Sequence, residues 1–204
     1  MGKTSLARRI ADSFGCELLL EGAEENPFLE RFYQDPNGAA LPTQLYFLMQ
    51  RARQMQELRQ AELFSPVRVA DFLMEKDRLF AEATLDSEEL ALYEQIHAQI
   101  APEVPVPDLV IYLQAPAEVL MKRIQQRGRP YEQHIDMAYL QRLSEAYTRL
   151  FHNYAAAPVL IVNAAEIDLV NSEQDYQELL AEVCETRSGR HYFNPAPLEL
   201  RGSA

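Results

Sequence analysis

Short apolar runs alternate with long amphipathic stretches along most of the chain. Three of the runs are nearly continuous and rich in β-branched residues, at 66–72, 108–113 and 158–163, and a shorter one lies at 17–20. Continuous apolar runs are typical of parallel strands that are covered on both faces. The stretches between them repeat apolar positions at helical spacing. The pattern therefore predicts an α/β fold with a mostly parallel sheet flanked by helices.

The helices are predicted from their apolar stripes and from the residues at their ends. The longest covers 41–63, and the one at 86–100 opens with acidic residues, as suits a helix N-terminus. Three more complete the set, at 116–126, 136–154 and 172–186. The last segment, 188–204, has prolines and no period, so we expect an irregular tail after a single domain at 1–187.

The chain begins with the end of a phosphate-binding motif. Gly2, Lys3 and Thr4 match the last three positions of a Walker A loop, in which backbone N–H groups and the Lys bind phosphates and the Thr hydroxyl binds Mg²⁺. An amphipathic helix follows directly, although an ordinary surface helix after a fortuitous match is the alternative. The first Gly of the loop and the strand that feeds it are absent. We therefore expect about ten to twenty residues upstream, and a sheet of five strands whose first strand is missing here.

Composition narrows the classes of function. The 204 residues are 48% apolar and 25% charged, which fits one globular domain. A net charge of −12 argues against binding of polymeric nucleic acid, because displacing counterions from phosphates needs a basic face, whereas a nucleotide needs only a local basic site. Two cysteines without a signal peptide favour the cytoplasm. No apolar run reaches the roughly 18 residues of a membrane span.

Glu21 and a cluster of arginines are the candidates for chemistry. Glu21 follows the predicted strand at 17–20, at the carboxyl end where parallel sheets bind ligands, so it can act as a general base beside a phosphate loop. Arg123, Arg127 and Arg129 surround a helix end at Gly128 and suit a mobile lid over a transferring phosphoryl group. The alternatives are a carboxylate that only favours the next helix and a solvent-facing helix end.

A third group of candidates is Tyr33, Gln44 and Arg51. Gln44 and Arg51 are seven residues apart on one helical stripe. A Gln amide can both donate to and accept from the edge of a nucleobase. From the pattern alone, a solvated helix face explains this pair as well.

Together these motifs resemble the deoxynucleoside kinase family, specifically its bacterial deoxyadenosine/deoxyguanosine kinase branch. The resemblance covers 2–183, and its most specific stretches are 21–29, 44–48, 71–81 and 123–132. It implies a three-layer P-loop kinase fold with an Arg-rich lid. It also implies a homodimer that transfers the γ-phosphoryl group of ATP, with Mg²⁺, to the 5′-hydroxyl of a purine deoxynucleoside in nucleotide salvage.

The resemblance assigns roles around the reacting groups. Glu21 would take the proton from the 5′-hydroxyl of the nucleoside. Lys3 and Thr4 would hold the ATP phosphates, with Thr4 on Mg²⁺ and with Gly2 and Ser5 in the same site. The lid side chains that would neutralise developing charge are Arg123, Arg127 and Arg129.

The resemblance also assigns the nucleoside site. Tyr33 and Glu132 match a pair that hydrogen-bonds the sugar 3′-hydroxyl, and Gln44 matches the residue that reads the base. The other residues implied for the substrate pocket are Arg51, Asp71 and Lys76. The chain departs from the family where an acidic-Arg-Ser motif is replaced by residues 71–73, which lack that arginine, and where Gly22 replaces a proline after the catalytic Glu.

Two other functions remain open at this point. A nucleoside monophosphate kinase, such as a thymidylate kinase, shares the P-loop and the Arg lid, but its acceptor needs a cation where this chain has Glu21. A non-catalytic structural member of the family would explain the incomplete phosphate loop. The preferred base is also open, since Gln44 can pair with purines or pyrimidines by turning its amide.

Overall fold

The computed structural model describes residues 2–61, 67–100, 105–165 and 167–195. It confirms an α/β fold in which parallel sheets are flanked by helices. The helices are α1 (Lys3–Phe14), α2 (Leu29–Gln34), α3 (Pro36–Ala61), α4 (Glu75–Thr84), α5 (Ser87–Ile100), α6 (Ala117–Arg127), α7 (Met137–Asn153) and α8 (Glu173–Glu185). The strands are β1 (Glu17–Leu19), β2 (Arg68–Ala70), β3 (Val110–Gln114), β4 (Val159–Asn163) and β5 (Arg190–Phe193), and short 3₁₀ helices lie at Ala23–Glu25 and Pro130–His134.

The described strands form two parallel sheets. In the first, β1 pairs with β2, with Leu18 opposite Val69. In the second, β3, β4 and β5 lie side by side, with Ile111 opposite Leu160 and Leu160 opposite His191. All of these pairings are parallel, as the continuous apolar runs predicted.

Helices cover the sheet of β3 and β4 on both faces. On one face α1 and α8 contribute buried side chains such as Leu6 and Leu179, which cluster with Leu160 and Val162 of β4. Val69 of β2 packs against the same cluster, so α1 links the two sheets. On the other face α7 contributes Phe151, Tyr154 packs just beyond it, and both cluster with Val110, Val159 and Ile161. The core therefore fixes the strand ends relative to the N-terminus of α1.

The tail was wrongly expected to be irregular throughout 188–204. Arg190–Phe193 forms β5, which pairs with β4 at the edge of the sheet. The Arg190 guanidinium anchors this strand by donating to backbone carbonyls of Phe151 (3.1 Å) and His152 (2.5 Å) at the end of α7. Four residues at an edge are too few to show a period. Residues 196–204 lie outside the described residues.

Three helices also differ from the prediction, and the short helix α2 is one that was not predicted. The long helix begins at Pro36 rather than at 41, because Ala39 and Ala40 are buried against Leu29 and Phe32 of α2, and Pro42 lies inside the helix. The predicted end at 62–63 lies outside the described residues. The helix α4 was not predicted at all, and it carries several side chains of the candidate site. Within the described parts of the chain, no helix has the length and apolarity to cross a membrane.

Candidate active site

Three cationic side chains surround the carboxylate of Glu21, which lies just beyond β1. Lys76 Nζ, from the first turn of α4, lies 2.6 Å from Glu21 Oε2. Lys3 Nζ, from the first turn of α1, lies 3.8 Å from the same oxygen. Arg51 of α3 donates from Nη2 to Glu21 Oε1. Only 10% of the Glu21 side chain is exposed, so these charges interact strongly across a poorly solvated space.

The neighbouring charges keep Glu21 ionised. Burial alone would raise the pKa of Glu21, but the positive charges of Lys76, Arg51 and Lys3 outweigh it and hold that pKa well below its usual range. Burial and the charge of Lys3 lower the pKa of Lys76 to about 7, against the opposing effect of the Glu21 carboxylate. At neutral pH, Glu21 is therefore in the form that can accept a hydrogen bond or a proton from a hydroxyl group.

Arg51 reaches Glu21 from a buried ion pair with Asp77. Its Nη1 contacts Asp77 Oδ1, and the two side chains are only 3% and 1% exposed. The guanidinium also lies near the rings of Phe47 and Phe72, 5.3 and 5.9 Å from their centroids. Moving either partner away would leave a buried charge uncompensated. Asp77 therefore holds Arg51 in place, and Arg51 in turn holds the carboxylate of Glu21.

Thr4, at the start of α1, forms a hydrogen-bonded pair of oxygen donors with Asp71. Thr4 Oγ1 donates to Asp71 Oδ2 at 2.6 Å, and Asp71 Oδ1 accepts the backbone N–H of Glu21 at 2.8 Å. Hydroxyl and carboxylate oxygens suit Mg²⁺, which needs few protein ligands when phosphates supply the others. Among the described residues, no group of three or more His, Cys, Asp or Glu could hold a metal by itself. The Thr4 hydroxyl and the Asp71 carboxylate are oxygen donors of the kind that Mg²⁺ accepts.

A cavity opens beside Glu21, with walls from α2, α3, α4, α7 and the segment Pro130–His134. Aromatic rings make up much of the lining, and a few polar side chains interrupt them. The lining residues are Glu21, Ala23, Leu29, Phe32, Tyr33, Thr43, Gln44, Phe47, Arg51, Lys76, Phe80, Arg129, Tyr131, Glu132 and Tyr139. Such a lining suits a planar ring system that carries hydrogen-bonding atoms at its edge.

The polar side chains of the cavity are held in place by neighbours. Gln44 is 3% exposed and donates from Nε2 to Thr84 Oγ1 at 3.2 Å. The Tyr33 and Tyr131 rings are parallel, with centroids 6.2 Å apart. Burial, and next the negative charge of Glu132, raise the pKa of Tyr33, so its hydroxyl keeps its proton. The cavity therefore offers a neutral phenol, a carboxylate and an amide.

Comparison with known proteins identifies the family. The sequence matches the deoxynucleoside kinase family over residues 1–187. The chain belongs to the deoxynucleoside kinase family. It is 32% identical over 190 residues to a deoxyguanosine kinase of Bacillus subtilis (strain 168), a match that covers 90% of this chain and 91% of the relative. It is 29% identical over 198 residues to a deoxyadenosine kinase of Lactobacillus acidophilus, with 90% of each chain covered.

A solved structure supports the fold of this deoxynucleoside kinase. A deoxyadenosine kinase from M. mycoides, with the products dCMP and dCDP bound, superimposes with a TM-score of 0.78 at 24% identity. The match covers 90% of this chain and 93% of that one. The P-loop kinase fold expected from the sequence is therefore confirmed.

Two of the three predicted lid arginines of the kinase are paired with carboxylates. Arg127 donates from Nε to Glu132 Oε2 at 2.9 Å and also contacts the other oxygen through Nη2. Arg129 lines the cavity, pairs with Glu24 through Nη2 and donates from Nη1 to the Tyr131 hydroxyl at 2.8 Å. In this arrangement both guanidinium groups are held by the protein's own anions.

Arg123, the third predicted lid arginine, contacts a different part of the chain. Its Nη2 donates to the backbone carbonyl of Ala164 at 2.6 Å, just beyond β4. Arg123 is not among the described residues that line the cavity. At the opposite end of the site, Gly2 has φ = 127°, a conformation that favours glycine, and directly precedes α1. Ser5 lies one residue after Thr4, in the first turn of the same helix.

Sequence reasoning missed three residues of this site. Asp77 and Thr84 lie on α4, whose acidic first turn was an available signal for a helix start. Their contacts with Arg51 and Gln44 join distant parts of the chain, and no local pattern reports such pairing. Glu24 was not a candidate from the sequence, and its carboxylate pairs with Arg129.

Proposed function

We propose that this kinase transfers the γ-phosphoryl group of ATP to the 5′-hydroxyl of a purine deoxynucleoside. The observation that carries the proposal is the ionised carboxylate of Glu21, which lines the aromatic cavity on one side and lies 3.8 Å from Lys3 on the other. A hydroxyl group bound at this carboxylate is next to the start of α1, where phosphates bind in P-loop proteins.

Glu21 accepts the hydrogen bond of the 5′-hydroxyl and takes its proton. The hydroxyl oxygen then forms a bond to the γ-phosphorus, while the bond from that phosphorus to the bridging oxygen of the β-phosphate breaks and ADP leaves. Lys76 and Arg51 hold the carboxylate while the reaction proceeds, each through a direct contact. Lys76 reaches this point from α4 and offers a cation at the catalytic Glu, where the chain lacks the arginine of the acidic-Arg-Ser motif. General base catalysis of this kind contributes about 10²–10⁴-fold to turnover.

Lys3, Thr4 and Asp71 bind the phosphate donor. Lys3 is half exposed and free to contact the β- and γ-phosphates. Thr4 and Asp71 are the residues that would hold Mg²⁺, which supplies charge neutralisation on the phosphate oxygens when bound. We therefore place Asp71 with the phosphate donor, although the family resemblance alone placed it in the substrate pocket. Gly2 and Ser5 complete this end of the site.

The remaining cavity residues bind the nucleoside. Tyr33 and Glu132 hydrogen-bond the sugar 3′-hydroxyl, and Gln44 meets the edge of the base between the rings of Phe47 and Phe80. A purine is favoured because the relatives named above are a deoxyguanosine kinase and a deoxyadenosine kinase. A solved deoxyadenosine kinase with bound dATP supports a nucleotide in such a site.

The lid arginines neutralise the charge that develops on the transferring phosphoryl group. Arg129 is in the cavity lining, so it needs only to exchange the carboxylate of Glu24 for a phosphate oxygen. Arg127 stays with Glu132 or adds a phosphate contact, and Arg123 requires movement of the lid to reach the donor. A homodimer and a cytoplasmic location stay predictions from the sequence and the family.

A panel of acceptors tests the proposal. Deoxyadenosine, deoxyguanosine, deoxycytidine, thymidine, dAMP and dTMP are incubated with ATP and Mg²⁺, and the products are separated by chromatography. We expect phosphorylation of purine deoxynucleosides and none of the monophosphates. Preferred use of dAMP or dTMP would instead indicate a nucleoside monophosphate kinase. Binding of ATP without turnover on any acceptor would indicate a non-catalytic member.

Replacement of Glu21 tests the assigned base. Glu21→Gln should lower kcat by about 10²–10⁴ while leaving the dissociation constant of the nucleoside largely intact. Glu25→Gln is the matched control, because Glu25 is a nearby carboxylate that contacts Gln50 at 3.0 Å and does not line the cavity. Unchanged turnover in Glu21→Gln would reject Glu21 as the base.

A further inference from the structure

Thr84 fixes the orientation of the Gln44 amide. The Thr84 hydroxyl donates its single hydrogen to the backbone carbonyl of Phe80, one helical turn earlier, at 2.7 Å. A carbonyl oxygen can only accept, so the Thr84 hydroxyl must be the donor in this hydrogen bond. Toward Gln44, at 3.2 Å, Thr84 Oγ1 can therefore only accept. The atom of Gln44 that faces Thr84 must be the nitrogen, Nε2.

This contact decides which groups Gln44 presents to the cavity. Gln44 is almost fully buried and lines the cavity, whereas Thr84 lies behind it, outside the lining. One Nε2 hydrogen is engaged by Thr84, which leaves Oε1 as an acceptor and the second Nε2 hydrogen as a donor. With the nitrogen held at Thr84, the positions of this donor and this acceptor cannot be interchanged without losing a hydrogen bond.

Purines differ in the order of these same groups. A 6-aminopurine carries a donor at C6 beside an acceptor at N1, whereas a 6-oxopurine carries an acceptor at C6 beside a donor at N1. An amide that is free to turn can match either edge. An amide of fixed orientation matches one edge, and with the other it sets donor against donor and acceptor against acceptor.

We propose that Thr84, by fixing the Gln44 amide, determines whether the cavity accepts a 6-amino or a 6-oxo purine deoxynucleoside. The inference rests on the proposed function, because it takes Gln44 as the residue that meets the base. Thr84 is a positioning residue that does not touch the substrate. The mismatch leaves buried hydrogen-bonding groups unpaired, so the wild-type enzyme should discriminate between the two purines by at least about fivefold.

Three variants test the inference through kcat/KM for deoxyadenosine, deoxyguanosine and the deoxyribonucleoside of unsubstituted purine. Thr84→Val keeps the shape of the side chain and removes the hydroxyl. It should reduce the preference between the first two substrates to within about twofold, because the amide becomes free to turn. Thr84→Ser keeps the hydroxyl and should retain the wild-type ratio. Thr84→Ala repeats the test if the valine variant fails to fold.

Thr186→Val is the matched control. Thr186 also donates its hydroxyl to a carbonyl one turn earlier, that of Glu182 at 2.8 Å, and it is buried at the end of α8, away from the cavity lining. It should leave the substrate ratio unchanged. An unselective wild-type enzyme, or a Thr84→Val enzyme that loses activity equally on all three substrates, would overturn the role of Thr84.

Binding measured without ATP distinguishes a failure of the proposed function from a failure of the inference about Thr84. If no nucleoside is phosphorylated, calorimetry with deoxyadenosine and deoxyguanosine still compares wild type and Thr84→Val. The same loss of preference in the dissociation constants would support the inference while the kinase proposal fails. No binding of either nucleoside to the wild type would overturn both.

Discussion

The ion pairs around Glu21 and the ion pair of Arg129 with Glu24 lie in different surroundings. In the cluster around Glu21, the side chains of Arg51 and Asp77 are 3% and 1% exposed. In the other pair, the side chains of Arg129 and Glu24 are 35% and 57% exposed. Removing one partner of a buried pair lowers the free energy of unfolding much more than removing one partner of an exposed pair, because water cannot replace the buried partner.

The difference indicates that the buried and the exposed ion pairs have different roles within one site. Glu21, the proposed base, is fixed in advance by buried partners, which would lower the cost of organising it during the proposed reaction. Arg129 is held by the exposed carboxylate of Glu24, which can be exchanged for a phosphate oxygen at little cost. Pairs of the first kind should therefore control stability, and pairs of the second kind should control opening and closing.

Removal of Asp77 should have the largest effect on stability. Asp77→Asn leaves the Arg51 guanidinium buried without its balancing charge and should lower the free energy of unfolding by about 3–5 kcal/mol. Urea denaturation followed by circular dichroism measures this loss.

The control for Asp77 is an exposed ion pair on the same helix. Glu82 accepts from Arg78 Nε at 2.9 Å, and the two side chains are 52% and 64% exposed. Glu82→Gln should lower the free energy of unfolding by no more than about 1 kcal/mol. Equal losses in the two variants would contradict the distinction between buried and exposed charges.

Acid should remove the stabilising contribution of Glu21. Its pKa is lowered in the folded protein from an ordinary value of 4.5, so the unfolded chain binds the proton more tightly. The contribution is complete above that value and is lost as the pH falls below it, by up to about 1.4 kcal/mol for each pH unit. Glutamine resembles the protonated acid, so the unfolding free energies of wild type and Glu21→Gln should converge below pH 4.5.

The measurement is chemical denaturation of both proteins between pH 3.5 and 7. The exposed residue Glu82 again supplies the control, since wild type and Glu82→Gln should differ by a small and nearly constant amount over the same range. A gap between wild type and Glu21→Gln that stays constant below pH 4.5 would show that the cations do not hold Glu21 ionised.

The sequence predicted the residues that are tied to strand ends and to local motifs. Lys3 and Thr4 belong to a contiguous motif, and Glu21 directly follows an apolar run, so each could be found without knowledge of tertiary contacts. The same apolar runs predicted the parallel strands β3 and β4. The edge strand β5 could not be predicted, because its four residues show no period and depend on anchoring by Arg190.

Sequence reasoning could not identify the partners of Arg51 and Gln44. Asp77 and Thr84 are separated from Arg51 and Gln44 by 26 and 40 positions, and they meet only because α4 packs against α3. The hydrogen bond that orients Gln44 also depends on which way one hydroxyl points. Sequence reasoning could propose that Gln44 reads a base, but it left the orientation of the amide free.

The smallest effect is expected for Glu24, the exposed partner of Arg129. Glu24→Gln should lower the free energy of unfolding by less than about 1 kcal/mol, which shifts the melting temperature of a chain of this size by less than about 4 °C. Salt screens an exposed pair, so the difference from wild type should be smaller at 0.5 M than at 0.05 M NaCl. Thermal melts at the two salt concentrations measure it.

Glu25→Gln is the control for this last variant. Glu25 hydrogen-bonds the neutral amide of Gln50, so its replacement should give a difference from wild type that does not change with salt. If Glu24→Gln instead destabilised the protein as much as Asp77→Asn, the lid would be fixed as firmly as the cluster around Glu21. Arg129 could not then leave Glu24 for a phosphate at little cost, and lid closure would need another source of charge.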